Sequence, residues 1–238
     1  MKKYLAVAAM FAVFSPLADA QATDSAWSDV HGTIGVRAWR VDWTSWFGQD
    51  IYKHADLETT ITPVASVRYK DFLLSGSYML SRDFQFPFVG YPQTDRKEYD
   101  VNLGYFILPG LAATLGYKYV KYDVADDVYH WNAKGLTFGL SGSAPLAPWA
   151  SLYGNAAYGK PKVTGVRDFN DARGKYLLTE LGVAFPLGSL NESMTGFVVT
   201  AGYRYQRIGA VRNTGPVSPT GEMFEYAQGP VLGISFSL

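Results

Sequence analysis

The chain has 238 residues with 21 basic and 21 acidic side chains and no cysteine. Balanced charge offers no footprint for nucleic acid, and the lack of thiols excludes a disulfide framework and any thiolate metal site. Aromatic residues make up 16% of the sequence, most of them Tyr and Phe, a composition that favours strands.

Lys2 and Lys3 precede an apolar run over residues 4–17 that only Ser15 and Pro16 interrupt. Ala18-Asp19-Ala20 then offers a small-x-small cleavage site, with Ala20-Gln21-Ala22 as a second choice. This pattern predicts a secretory signal peptide over 1–20, cleaved there or after 22. No cysteine follows the run, so a lipoprotein is not expected. The expected mature chain has a short periplasmic segment, 21–30, and one domain, 31–238. Removing Lys2, Lys3 and Asp19 leaves 19 basic and 20 acidic residues of the original 21 and 21. No later stretch approaches the ~18 consecutive apolar residues of a spanning helix.

Period-two alternation begins near His31, with Ile34, Val36 and Ala38 against Thr33, Gly35 and Arg37. The phase reverses over 39–43, which predicts a bulge or the end of an apolar belt there. Ile61, Pro63, Ala65, Val67 and Tyr69 then oppose Thr60, Thr62, Ser66 and Arg68. Phe72, Leu74, Gly76, Tyr78 and Leu80 oppose Ser75, Ser77 and Ser81. Tyr99 to Ile107 at odd positions oppose Glu98, Asp100, Asn102 and Gly104, and Leu111 to Tyr119 oppose Ala112, Thr114, Gly116 and Lys118. The same reading covers 135–141, 151–158, 177–185 and 197–206, and a last strand runs to the chain end. One face of each strand is apolar for about five alternate positions and ends in an aromatic residue. The other is small and polar, as a confined lumen requires.

Tyr69, Phe72, Tyr105, Trp149, Phe185, Phe197 and Phe236 would form one aromatic girdle, and Tyr78, Tyr99, Tyr119, Tyr158, Tyr205 and Tyr226 the other. Connections near 70–71, 108–110, 144–148 and 186–192 are short, whereas 44–58, 82–96, 121–133, 159–174 and 207–222 are long. Short turns at one end and long loops at the other mark transmembrane barrels. The expected fold is all-β: a single antiparallel up-and-down transmembrane β-barrel of about ten strands, with eight as the alternative.

The last residues carry a resemblance. Leu232, Ile234, Phe236 and Leu238 alternate to the end of the chain. This resembles the C-terminal strand of Gram-negative outer-membrane β-barrels, although the usual terminal aromatic is here Phe236 with Leu238 after it. The resemblance implies an outer-membrane location with both termini in the periplasm. It also implies recognition of that strand by the barrel-assembly machinery and contact with membrane lipid and lipopolysaccharide. In hydrocarbon each unpaired backbone group costs several kcal/mol, so the sheet must close.

A ten-stranded barrel is only slightly wider than the side-chain-filled eight-stranded kind. Its expected inward charges are Arg37, Arg68, Lys118 and Arg204 with Glu98, Asp100, Glu180 and Glu225. Four of each sign predict a compensated plug ahead of a solute path. Trp43, Trp46, Phe84, Phe86, Phe88, Tyr91 and Trp131 gather in the expected outer loops as contact candidates, or as a cap packed on itself. Loop four, with Lys160, Lys162, Arg167, Arg173 and Lys175 against Asp168 and Asp171, is modestly basic.

Catalysis is not expected. His31-Gly-Thr33 lacks the His-x-Ser pattern of the outer-membrane lipid A deacylases, and Asp126, Asp127 and His130 do not match the Asp arrangement of the omptin proteases. No metal-ligand spacing, phosphate loop or nucleophile elbow occurs, so neither a cofactor nor a metal is expected. The predicted role is a narrow-lumen structural, surface-interaction or small-solute protein. An adhesin using the aromatic loops is the alternative, and an enzyme a remoter one.

Overall fold

The computed structural model describes residues 29–46, 52–85, 94–124, 129–165, 172–211 and 222–238. Among them ten long strands form a closed antiparallel barrel. These are β1 (Val30–Trp46), β3 (Glu58–Tyr69), β4 (Phe72–Phe84), β5 (Thr94–Leu108), β6 (Leu111–Val124), β7 (Tyr129–Ala147), β8 (Ala150–Gly159), β10 (Ala172–Pro186), β11 (Phe197–Val211) and β12 (Glu222–Ser237). Two short strands lie at the loop end: β2 (Tyr52–His54) pairs with β1, and β9 (Lys162–Thr164) continues the line of β8 between β7 and β10.

Each strand pairs with its sequence neighbour, and β1 pairs with β12 to close the ring. The closing register is constant from Thr33↔Ser237 to Trp46↔Phe224, and the Leu238 N–H donates to the Gly32 carbonyl at 2.8 Å. Gly229 on β12 has φ 150°, and a Cβ there would lie 1.8 Å from the Arg40 carbonyl oxygen of β1. Only glycine fits that contact.

Four connections at one end are compact: 70–71, 109–110, 148–149 and 187–196, the last holding two single 3₁₀ turns. The other end carries the longer segments. The third of these is shorter than its composition implies, because Val124 pairs with Tyr129 and leaves only 125–128 between β6 and β7.

Outward positions form a continuous apolar belt. Phe138 is 63% and Leu181 59% exposed, whereas inward Val120 and Tyr122 are fully buried. Aromatic pairs on adjacent strands mark the belt's two margins. Phe72–Tyr105 (5.2 Å between ring centres), Trp149–Phe185 (6.2 Å) and Phe197–Phe236 (4.7 Å) lie at the turn end. Tyr78–Tyr99 (4.8 Å), Tyr99–Tyr119 (5.6 Å) and Tyr205–Tyr226 (6.5 Å) lie toward the loop end.

Beyond the second margin the strands continue, but their two faces exchange character. On β6, Tyr119 is followed outward by Lys121 and Asp123, while inward Val120 and Tyr122 are fully buried. On β1, Trp39, Val41 and Trp43 keep the inward parity of Thr33 and Arg37. The phase reversal over 39–43 therefore marks the end of the apolar belt, one of the two expected causes, and not a bulge. Backbone register is unbroken against β3 from Val30↔Tyr69 to Val41↔Glu58, and what inverts is which face holds the apolar residues. A real irregularity lies on β4, where one extra residue between Ser81 and Phe84 turns Phe84 inward.

Candidate functional site

The lumen is filled in layers. Nearest the turn end, Arg68 is half-buried, donates from Nε to the Lys70 carbonyl at 2.9 Å and lies 4.4 Å over the Phe106 ring. It has no contact with the other inward charges assigned from the sequence. Its parity is inward, but its height on β3 puts it at the floor. Tyr153, also low in the barrel, crosses two glycines: a Cβ at Gly182 or Gly202 would come within 2.5 Å of its ring or hydroxyl.

Above the floor is a cavity of about 120 Å³. Ser75, Ser77, Asn102, Thr114, Thr137 and Asn155 give it a polar wall, and Arg37, Glu180 and Arg204 border it.

The next layer is ionic and crosses the barrel. Glu98 on β5 receives Lys118 of β6 at 2.6 Å, Gln206 of β11 at 3.0 Å and the Arg96 guanidinium at 2.7 Å. Lys118 also donates to Asp100 at 2.5 Å. Arg204 lies 4.0 Å from Glu98 and 3.8 Å from Glu180, and Arg37 on β1 pairs with Glu180 on β10. Glu98 and Lys118 are each 3% exposed, so water does little to screen these charges. Tyr122 donates to Glu225, which joins the layer to the rings above it.

Arg96, absent from the sequence assignment, stands where Arg68 does not. With it the cations Arg37, Arg96, Lys118 and Arg204 still number four against Glu98, Asp100, Glu180 and Glu225. Its signal was present in the alternation. Arg96, Glu98 and Asp100 share parity, and the strand needed only to be read two residues earlier.

The loop-end layer is aromatic. Trp43 stacks on Tyr122 (4.8 Å), Tyr122 on Trp131 (4.3 Å), and Phe84 meets Trp43 edge-on (5.0 Å). Arg96 sits among these rings, 5.3 Å from Trp43 and from Tyr122 and 5.9 Å from Trp39. Phe84 is fully buried, Trp43 is 2% and Trp131 6% exposed. These three contact candidates are therefore strand residues turned into the lumen, not loop residues facing outward. The strands extend past the belt, which the apolar pattern alone does not reveal. Phe86, Phe88 and Tyr91 lie outside the described residues, as do Asp126, Asp127 and the side chains of Trp46 and His130.

On the outer wall, the His54 ring nitrogens lie 2.8 Å from the Thr44 hydroxyl and 3.4 Å from Asp42. This contact clips β2 onto β1. Among the described residues no cluster of His, Asp and Glu has the arrangement of a metal site.

No family model matches the chain, and no curated protein matches it either. Solved structures do share its architecture. The outer-membrane protease OmpT of Escherichia coli superposes with a TM-score of 0.52 at 10% identity, covering 92% of this chain and 99% of that one. The toluene transporter TodX of P. putida gives 0.36 at 8% identity, covering 91% and 90%. OmpT of Vibrio cholerae, an outer-membrane protein, gives 0.32 at 10%, covering 87% and 99%. The fold of this chain, a closed ten-stranded antiparallel barrel, is similar to that of the Escherichia coli protease.

Proposed function

We propose that this chain is an integral outer-membrane barrel whose lumen does not conduct, serving as a structural and surface-interaction protein and not as an enzyme. The supporting observation is the chain of contacts from the Glu98 layer to the Trp43–Tyr122–Trp131 stack, where the cavity bordered by Trp39, Glu98 and Arg204 holds only about 10 Å³. A solute entering from the turn end would reach the cavity beside Arg37 and Glu180 and stop there. In this reading the apolar belt meets hydrocarbon, and the extension above it meets water. That is why the two faces exchange character there: the inside of the extension is packed like the core of a soluble protein.

The short turns and both chain ends would face the periplasm, with the long segments at the cell surface. Segment 1–20 would direct export, and Leu232, Ile234, Phe236 and Leu238 would present the assembly signal.

Planar-bilayer recording of the purified, folded protein tests the reading. The expected result is insertion without steady conductance; a stable ohmic single-channel current would overturn it.

A further inference from the structure

Outward cations stand directly above the belt on six strands. Arg40, Lys97, Lys121, Lys134, Lys175 and Arg207 each occupy the next outward position after the last residue of the belt. Their surroundings differ around the ring. On β5 and β6, Asp123 takes Lys97 at 3.3 Å and Lys121 at 2.6 Å, so that sector is compensated within the protein.

The sector of β7, β9 and β10 is different. Lys134 pairs in register with Lys162, and Lys162 with Arg173, which places basic residues on three consecutive strands. Like charges directly opposite one another on a sheet are destabilising. The Gly174 N–H donates to the Pro161 carbonyl at 2.7 Å, bringing Lys160 against Lys175 as well. Lys134, Lys160, Lys162, Arg173 and Lys175 are all exposed, and no acidic residue faces outward on the described parts of these three strands. Lys162 has an interaction of its own, and the other four cations are Lys134, Lys160, Arg173 and Lys175. Lys134 and Arg173 flank β9, which sets their Cα atoms about 10 Å apart, twice the spacing between neighbouring strands. Immediately below lie Leu136, Phe138 and Leu177, which are 56%, 63% and 40% exposed.

We propose that this sector binds a phosphorylated glycolipid of the outer leaflet, with its phosphates on Lys134, Lys160, Arg173 and Lys175 and its acyl chains on the leucine and phenylalanine surface below. The inference rests on the outer-membrane reading. It is favoured over a soluble polyanion because the cations are continuous with the apolar belt, so one ligand must satisfy both. Charge-assisted contacts to phosphate supply the selectivity.

Native mass spectrometry of the detergent-folded barrel, titrated with bisphosphorylated lipid A and with its dephosphorylated counterpart, tests the proposal. The wild-type protein is expected to hold the phosphorylated lipid at least tenfold more tightly. The combined variant Lys134→Gln, Lys160→Gln, Arg173→Gln, Lys175→Gln should lose that preference, whereas Lys97→Gln, Lys121→Gln should keep it. Equal binding of the two lipids, an unaffected combined variant, or heparin competing as well as the phosphorylated lipid would each overturn the proposal. Cold-against-boiled electrophoresis confirms folding of every variant. Should the combined variant not fold, the pair Lys134→Gln, Lys175→Gln decides by the same criterion. A wild-type protein that folds only without detergent would instead refute the membrane reading beneath it.

Discussion

Gln206 on β11 donates from Nε2 to Oε1 of Glu98 on β5 at 3.0 Å, a hydrogen bond that crosses the lumen between strands on opposite sides of the barrel. The bond makes Glu98 the centre of the interior. Around it converge Arg96, Lys118 and Arg204, all of them largely shielded from water. A carboxylate that holds three cations in a confined space stabilises less by attraction than by leaving no charge unanswered.

Glu98→Gln keeps the shape of the side chain but leaves the cations around it under-compensated. The expected loss is ~3–5 kcal/mol in urea unfolding from detergent. Arg68→Gln is the matched control. Among the described residues Arg68 makes one hydrogen bond, to the Lys70 carbonyl, and lies over the Phe106 ring, so the cost should be about 1 kcal/mol or less. Equal losses would contradict the placement of Arg68 outside the network.

Trp43→Ala removes the ring that joins Phe84 to Tyr122. Deleting a buried aromatic of this size costs ~3–5 kcal/mol. The same unfolding experiment checks it, and an exposed loop contact would cost far less.

Most of the barrel could be read from alternation, because an apolar outer belt and a polar interior put opposite chemistry on neighbouring residues. The strand faces from Ile61 to Tyr69 and from Leu111 to Tyr119 lie as their pattern indicates. Above Ala38 the end of the belt was legible, but above Tyr119 and Tyr99 it was not. There the outward face turns polar and the inward face apolar, so Trp43, Phe84 and Trp131 passed for loop residues. Phe84 was hidden further by a one-residue irregularity that no composition signal announces. Within the lumen, parity gave the facing of Arg68 and Glu98 alike, but height along the strand, which decides who meets whom, is set by register across ten strands.

Leu115→Arg would place a charge on the apolar belt, where Leu115 is 45% exposed. Near the midplane this costs ~2–4 kcal/mol of folding free energy in lipid. Thr114→Arg points instead to the cavity of about 120 Å³ and should cost less. Refolding equilibria into lipid vesicles compare the two directly.

The inside and the outside of the barrel are distinguished most directly by the environment of successive side chains along one strand. The natural chain has no cysteine, so single cysteines introduced at 112–119 on β6 can be labelled with a fluorophore in lipid vesicles and challenged with brominated lipid. Positions 113, 115, 117 and 119 should be quenched, and positions 112, 114, 116 and 118 should not. Quenching that ignores parity, or full labelling at every position by a water-soluble reagent, would contradict the barrel's inside and outside as described.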